Sequence, residues 1–89
     1  MIKTKVTIIN KLGLHARAAA KFATTSTRFA SNIQTGINDK MVDGKSVMAL
    51  MLLAASKGTE LNLEINGEDE QEAQSALLQL INNRFDEEE

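Results

Sequence analysis

A single histidine is the only imidazole in the chain, and its neighbours give it a chemical context. His15 lies in "GLHARAAAKF", residues 13–22, where a glycine-containing turn gives way to an alanine-rich stretch, with Arg17 two residues on. The spacing places His15 at or just before the first turn of a helix. Backbone N–H groups there lack intrahelical partners, and together with the helix dipole they favour an anion and oppose a protonated ring. A neutral imidazole keeps a lone pair for nucleophilic attack. A phosphate carried on it would meet free N–H donors and charge-assisted hydrogen bonds from Arg17. Phosphoryl transfer asks for little more than a nucleophile, a line of approach and electrostatic support for the equatorial oxygens. The alternative is a surface histidine with no task. A metal site lacks its ligands, since there is no second His and no Cys.

The elements that must position this pair follow from periodicity. "IKTKVTII" alternates, with Ile2, Thr4, Val6 and Ile8 on one side, and predicts a half-buried strand; "NKLG" turns the chain. Helical spacing runs from about Ala16 to Phe29, with Ala19, Phe22, Ala23, Ser26 and Phe29 on the packed side. Arg17, Lys21, Thr24 and Arg28 form a basic stripe expected in solvent. Ile33, Thr35 and Ile37 lead into a hairpin that turns at Asn38-Asp39, returns through Met41-Val42 and ends at Asp43-Gly44. A short helix begins near Ser46, a good N-cap type, and Gly58 closes that segment. "TELNLEING" is a strand with Leu61, Leu63 and Ile65 inward. The last helix follows Gly67, opens with Glu68, Asp69, Glu70 and Glu72, and carries the stripe Ala73, Ala76, Leu77, Leu80 and Ile81. "FDEEE" reads as a frayed acidic tail. The order β-α-β-β-α-β-α, with polar outer strand faces, predicts an α+β open-faced β-sandwich: a four-stranded antiparallel sheet covered on one face by three helices.

Totals limit the partners. Eighty-nine residues predict a single domain, 1–89. A net charge of −2 argues against a phosphate-backbone binder, and three phenylalanines as the only aromatics are too few to stack bases. An RNA-binding β-α-β-β-α-β module therefore fits the topology but not the composition. The absence of cysteine suits the cytosol. The run Val47 to Ala55 is about half the length of a membrane span, and no signal-peptide core is seen in "MIKTKVTIIN". That same run is apolar all round. With Leu50, Leu53 and Ala54 buried, Met48 and Leu52 would face solvent with Met51 near the boundary, which suggests a docking surface. The alternative is that a neighbouring loop covers them.

"NKLGLHARAAAKF" resembles the active-site segment of the HPr family, the histidine phosphocarriers of the bacterial phosphoenolpyruvate-dependent phosphotransferase system, and "DGKSVMALMLLAASKG" is similar to that family's second signature. The resemblance spans essentially the whole chain. It implies that His15 accepts a phosphoryl group on Nδ1 from phosphorylated Enzyme I and passes it to an EIIA-type protein. Arg17 would steady the phosphohistidine, and Lys21, Val47, Met48 and Met51 would lie on the partner face. A carrier of this kind has no turnover of its own, needs no cofactor, and is expected as a cytoplasmic monomer. Ser46 matches a serine that a dedicated HPr kinase/phosphorylase modifies in some members, where added charge blocks docking; as a bare residue it is also a plain N-cap. Ala18 stands where the family usually has Pro, which gives up some rigidity but regains an N–H. The first segment and the tail "RFDEEE" lean towards the nitrogen-related branch, with a Ser46-regulated sugar-uptake HPr as the alternative. A regulatory docking module that no longer carries phosphate is a further alternative, against which an intact His15 and Arg17 argue.

Overall fold

A computed structural model describes residues 1–89. Its elements are β1 (Ile2–Thr7), α1 (Ala16–Thr27), β2 (Asn32–Ile37), β3 (Lys40–Asp43), α2 (Val47–Leu52), β4 (Glu60–Asn66) and α3 (Glu70–Asn82), closed by one turn at Arg84–Asp86. The four strands form one sheet in the order β1-β4-β2-β3, with every pairing antiparallel. This is the α+β architecture that alternation and helical stripes predict.

Register explains the layering. Val6 lies opposite Leu61, and Leu63 sits between Thr4 and Thr35; Ile65 likewise sits between Ile2 and Ile33. These side chains share one face with the buried stripes Ala19, Phe22, Ala23 and Ala73, Leu77, Ile81 of the two long helices. Lys3, Lys5 and Gln34 occupy the opposite, exposed face. Thr35, although buried, is satisfied, because its hydroxyl donates to the Asn62 carbonyl at 2.8 Å. None of the helices is long and apolar enough to cross a membrane.

The helix ends depart from expectation in instructive ways. α1 stops at Thr27 rather than Phe29, and the amides of Arg28 and Phe29 close the end on the carbonyls of Thr25 and Ser26 at 3.2 Å. α2 is only six residues long: Ala54 adopts a left-handed φ of 53° well before Gly58, so Ala55, not Ala54, is the buried alanine. Asp69 does not cap α3 with its side chain. Its carboxylate instead accepts from the amides of Ala30 and Ser31 at 2.8 and 2.9 Å and from the Ser31 hydroxyl at 2.5 Å. Those bonds, the Ser31 hydroxyl foremost, hold the Asp69 carboxyl below its ordinary range.

The largest correction concerns "FDEEE". Arg84, Phe85 and Asp86 all take left-handed φ values, 57°, 52° and 63°, and reverse the chain. Phe85 is thereby fully buried in the core, and the acidic end is laid back along the loop before α1. An aromatic side chain that can be buried stabilises a segment whose charges alone would leave it in solvent.

Candidate functional site

His15 is the N-cap residue of α1, with extended backbone (φ −75°, ψ −178°) and no side-chain capping bond. Its carbonyl accepts from Ala19 N–H at 2.8 Å, which begins the helical ladder and leaves the amides of Ala16, Arg17 and Ala18 ahead of it. The ring is therefore not spent on capping. The loop before it is tightly made. Gly13 has φ +67°, and a Cβ there would sit 2.4 Å from the Ala55 carbonyl oxygen; the Leu14 amide donates to that same oxygen at 2.8 Å.

Asn10, fully buried, holds the loop and the tail together. Its side-chain amide donates to the Gly13 carbonyl at 2.8 Å and to Glu87 Oε1 at 3.0 Å. Both neighbours are acceptors, so the NH2 group must face them, and Asn10 Oδ1 has no partner. The other Glu87 oxygen, Oε2, meets Nε2 of His15 in a short contact. No partner is bonded to Nδ1, and about a quarter of the imidazole side chain remains accessible. Burial works to raise the Glu87 carboxyl. The hydrogen bonds from Asn10 and His15 and the positive potential of His15 and Arg17 outweigh it, and the group lies below the usual carboxylate range.

Arg17 is exposed at the start of α1 and has no carboxylate within ion-pair distance; it lines a groove with Lys11, Leu12 and the acidic residues 86–89. Lys21 differs from expectation. It is half-buried, its ammonium donates to the Phe85 carbonyl at 2.9 Å and lies 3.8 Å from Asp86, so it belongs to the tail's anchorage rather than to a free basic stripe. Lys11 pairs with Glu89 at 3.3 Å.

The apolar residues of the second segment are uncovered. Met48 is 75% exposed and Leu52 71%, with Val47 and Met51 also in solvent, so no loop shields them. Met51, Leu12 and His15 line the same shallow depression, which makes the imidazole continuous with this surface. Ser46, at the far end of α2, accepts from the Ala49 amide at 3.2 Å as an N-cap. Three site residues escape sequence reading: Leu12, Asn10 and Glu87. The one available signal was Phe85, a large aromatic in an otherwise acidic tail. No three His, Cys, Asp or Glu side chains cluster closely enough to hold a metal ion.

The family model described as the PTS HPr component phosphorylation site matches residues 2–83. The phosphocarrier protein HPr of Pseudomonas aeruginosa (strain PAO1) is 60% identical over 84 residues, covering 93% of each chain. Among solved structures, HPr-C-His from Thermoanaerobacter tengcongensis matches with a TM-score of 0.95 at 43% identity over 100% of both chains. The HPr dimer from the same organism matches with a TM-score of 0.78 at 42% identity, covering 98% of this chain and 100% of that one. Fold, signature segments and near-complete coverage together establish that the chain belongs to the HPr family, the phosphocarriers of the phosphotransferase system, which relay a phosphoryl group rather than turn over a substrate.

Proposed function

We propose that His15 is the phosphoryl acceptor: its Nδ1 takes the group from phosphorylated Enzyme I and gives it up to an EIIA-type protein. The observation that carries this reading is the junction itself. An accessible imidazole, unused for capping, belongs to the N-cap residue of a helix whose first amides are unpaired, two residues from an arginine without a carboxylate partner. Arg17 would hold the phosphoryl oxygens. Val47, Met48 and Met51, extended by Leu12 and Leu52, supply an apolar docking face continuous with His15, and partners of different shape suit its methionines. Lys21 contributes at the edge of that face through the tail it holds. Ala18 is buried in the first turn, and its unpaired N–H offers the phosphate a donor that the family's usual proline lacks.

The protein works as a monomer in the cytoplasm, within the nitrogen-related branch. In the alternative reading, a sugar-uptake HPr, Ser46 would be a regulatory site for an HPr kinase/phosphorylase: a phosphate there would stand at the start of α2 beside Val47 and Met48, and oppose docking by charge and desolvation. The central test is incubation with phosphoenolpyruvate and Enzyme I. The expected product is an acid-labile, base-stable phosphate that is absent from His15→Ala. A phosphate retained in that variant would overturn the assignment. Faster acceptance from the sugar-type than from the nitrogen-related Enzyme I would overturn the branch. Unchanged acceptance by Ser46→Asp would remove the regulatory site, and a dimer mass by light scattering would remove the monomer.

A further inference from the structure

We propose that Glu87 is a positioning residue for phosphoryl transfer, accepting the proton-bearing Nε2 of His15 so that the lone pair is held on Nδ1. The proposal rests on His15 being the acceptor. It is carried by geometry on three sides. Glu87 presents one oxygen to Nε2 and the other to the buried Asn10 amide, which is itself tied to the Gly13 carbonyl. The carboxylate is thus clamped between a fixed donor and the ring, with only 12% of its side chain exposed. Phe85, two residues earlier and fully buried, fixes the backbone that delivers it.

An ionised carboxylate only accepts, so Nε2 must donate, and a neutral ring that keeps its hydrogen on Nε2 has its free pair on Nδ1. As that pair forms the N–P bond, the donor's bond to phosphorus breaks and its electron pair leaves with the donor. The ring, still carrying its Nε2 hydrogen, becomes an imidazolium, and the adjacent carboxylate offsets the new positive charge as a buried acid does in a hydrolase triad. On delivery the N–P pair returns to Nδ1 and the ring is neutral again, with the same tautomer. No proton has to be exchanged with solvent in either half.

Glutamine cannot replace this group in full. Its single oxygen can serve His15 or Asn10 but not both, and its amide would face a second donor. Partners that orient a metal-ligating imidazole from behind change affinity or activity about ten- to a hundredfold; by analogy, for one on a short tail we expect about tenfold.

The test follows the nitrogen-15 signals of the His15 ring at alkaline pH together with the rate of acceptance from phosphorylated Enzyme I, in the full chain. Wild type should show Nε2 protonated and Nδ1 not. Glu87→Ala should mix the tautomers and slow acceptance about tenfold, Glu87→Gln should fall between, and Glu87→Asp should recover part of the rate. Glu88→Gln, a tail carboxylate bonded to nothing, should change neither measurement. If Glu87→Ala keeps both the tautomer and the rate while wild type is phosphorylated on His15, the positioning role is wrong and the carrier function stands. If Glu88→Gln slows acceptance as much as Glu87→Ala, tail charge rather than this contact is responsible, which also overturns the proposal. Wild type left unphosphorylated on His15 would instead remove the function on which it rests.

Discussion

Replacing Phe85 by alanine should release the tail without unfolding the domain, and the structure sets the size of the effect. The ring is fully buried, which contributes about 1.5–3 kcal/mol. The Lys21 bond to the Phe85 carbonyl and the Asn10 and His15 bonds to Glu87 add about 1 kcal/mol each. Against these stand three consecutive non-glycine residues in the left-handed region, at a cost on the order of 1–2 kcal/mol each. The tail is therefore held by a narrow margin, which Phe85 supplies. Once the ring is gone the segment can leave, so the loss is capped at what the whole tail contributes. We expect about 1–2 kcal/mol, below the ~3–5 kcal/mol of a Phe→Ala change in an enclosed core. In a domain of this size that lowers Tm by roughly 5–15 °C. The functional consequence is sharper: without its anchor Glu87 no longer reaches His15, so Phe85→Ala and Glu87→Ala should slow phosphoryl acceptance alike, and the double variant no more than either one. A double-mutant cycle on the acceptance rate, alongside thermal unfolding, measures this coupling. Multiplying effects, or a Phe85→Ala protein with wild-type Tm, would refute the reasoning.

Other consequences are more local. Because the Asp69 carboxyl titrates below its unfolded-state range, its bonds stabilise the fold above that range, and the contribution is lost as pH falls through the lowered value. Asp69→Asn should flatten the acid limb of a stability–pH curve measured by denaturant titration. Gly13→Ala should destabilise by several-fold more than the ~1 kcal/mol typical of a surface change, because φ is +67° and the new Cβ would lie 2.4 Å from the Ala55 oxygen; chemical denaturation gives the value. Met48→Asp should leave stability within about 0.5 kcal/mol, since the side chain is 75% exposed, while weakening Enzyme I binding in calorimetry. Raising salt to about 1 M, where the Debye length is near 3 Å, should not speed amide exchange of Glu87 markedly.

Periodicity was enough for the layers. Alternation in 2–8 and 59–67 placed β1 and β4, and the stripe Ala73, Leu77, Ile81 placed the buried face of α3, because core burial imposes those repeats directly on sequence. His15 was equally legible as a helix-start residue. The tail was not, for a physical reason: left-handed backbone normally announces itself by glycine, and here Arg84, Phe85 and Asp86 adopt it without one. Ala54 hides the end of α2 in the same way. Asn10 was legible as a turn residue but not as a buried clamp, since its second partner lies 77 positions away. Lys21 was read from its helical face alone, and the carbonyl that accepts its hydrogen bond comes from residue 85.

The nature of that anchorage bears on how a carrier can work. The ion pairs of the tail, Lys11 with Glu89 in open solvent and Lys21 with Asp86 at its edge, are worth at most about 1 kcal/mol each. A tail held by them alone would be expelled when a doubly negative phosphoryl group arrived beside Arg17. An apolar anchor is indifferent to that charge. With Phe85 seated in the core, Glu87 can stay on Nε2 through both halves of the relay, while the exposed acids Glu88 and Glu89 are free to give way to a partner. Anchoring the segment that fixes the ring with a hydrophobic residue, rather than with surface charge, would leave Arg17 and the helix-start amides available for the oxygens of the proposed phosphoryl group.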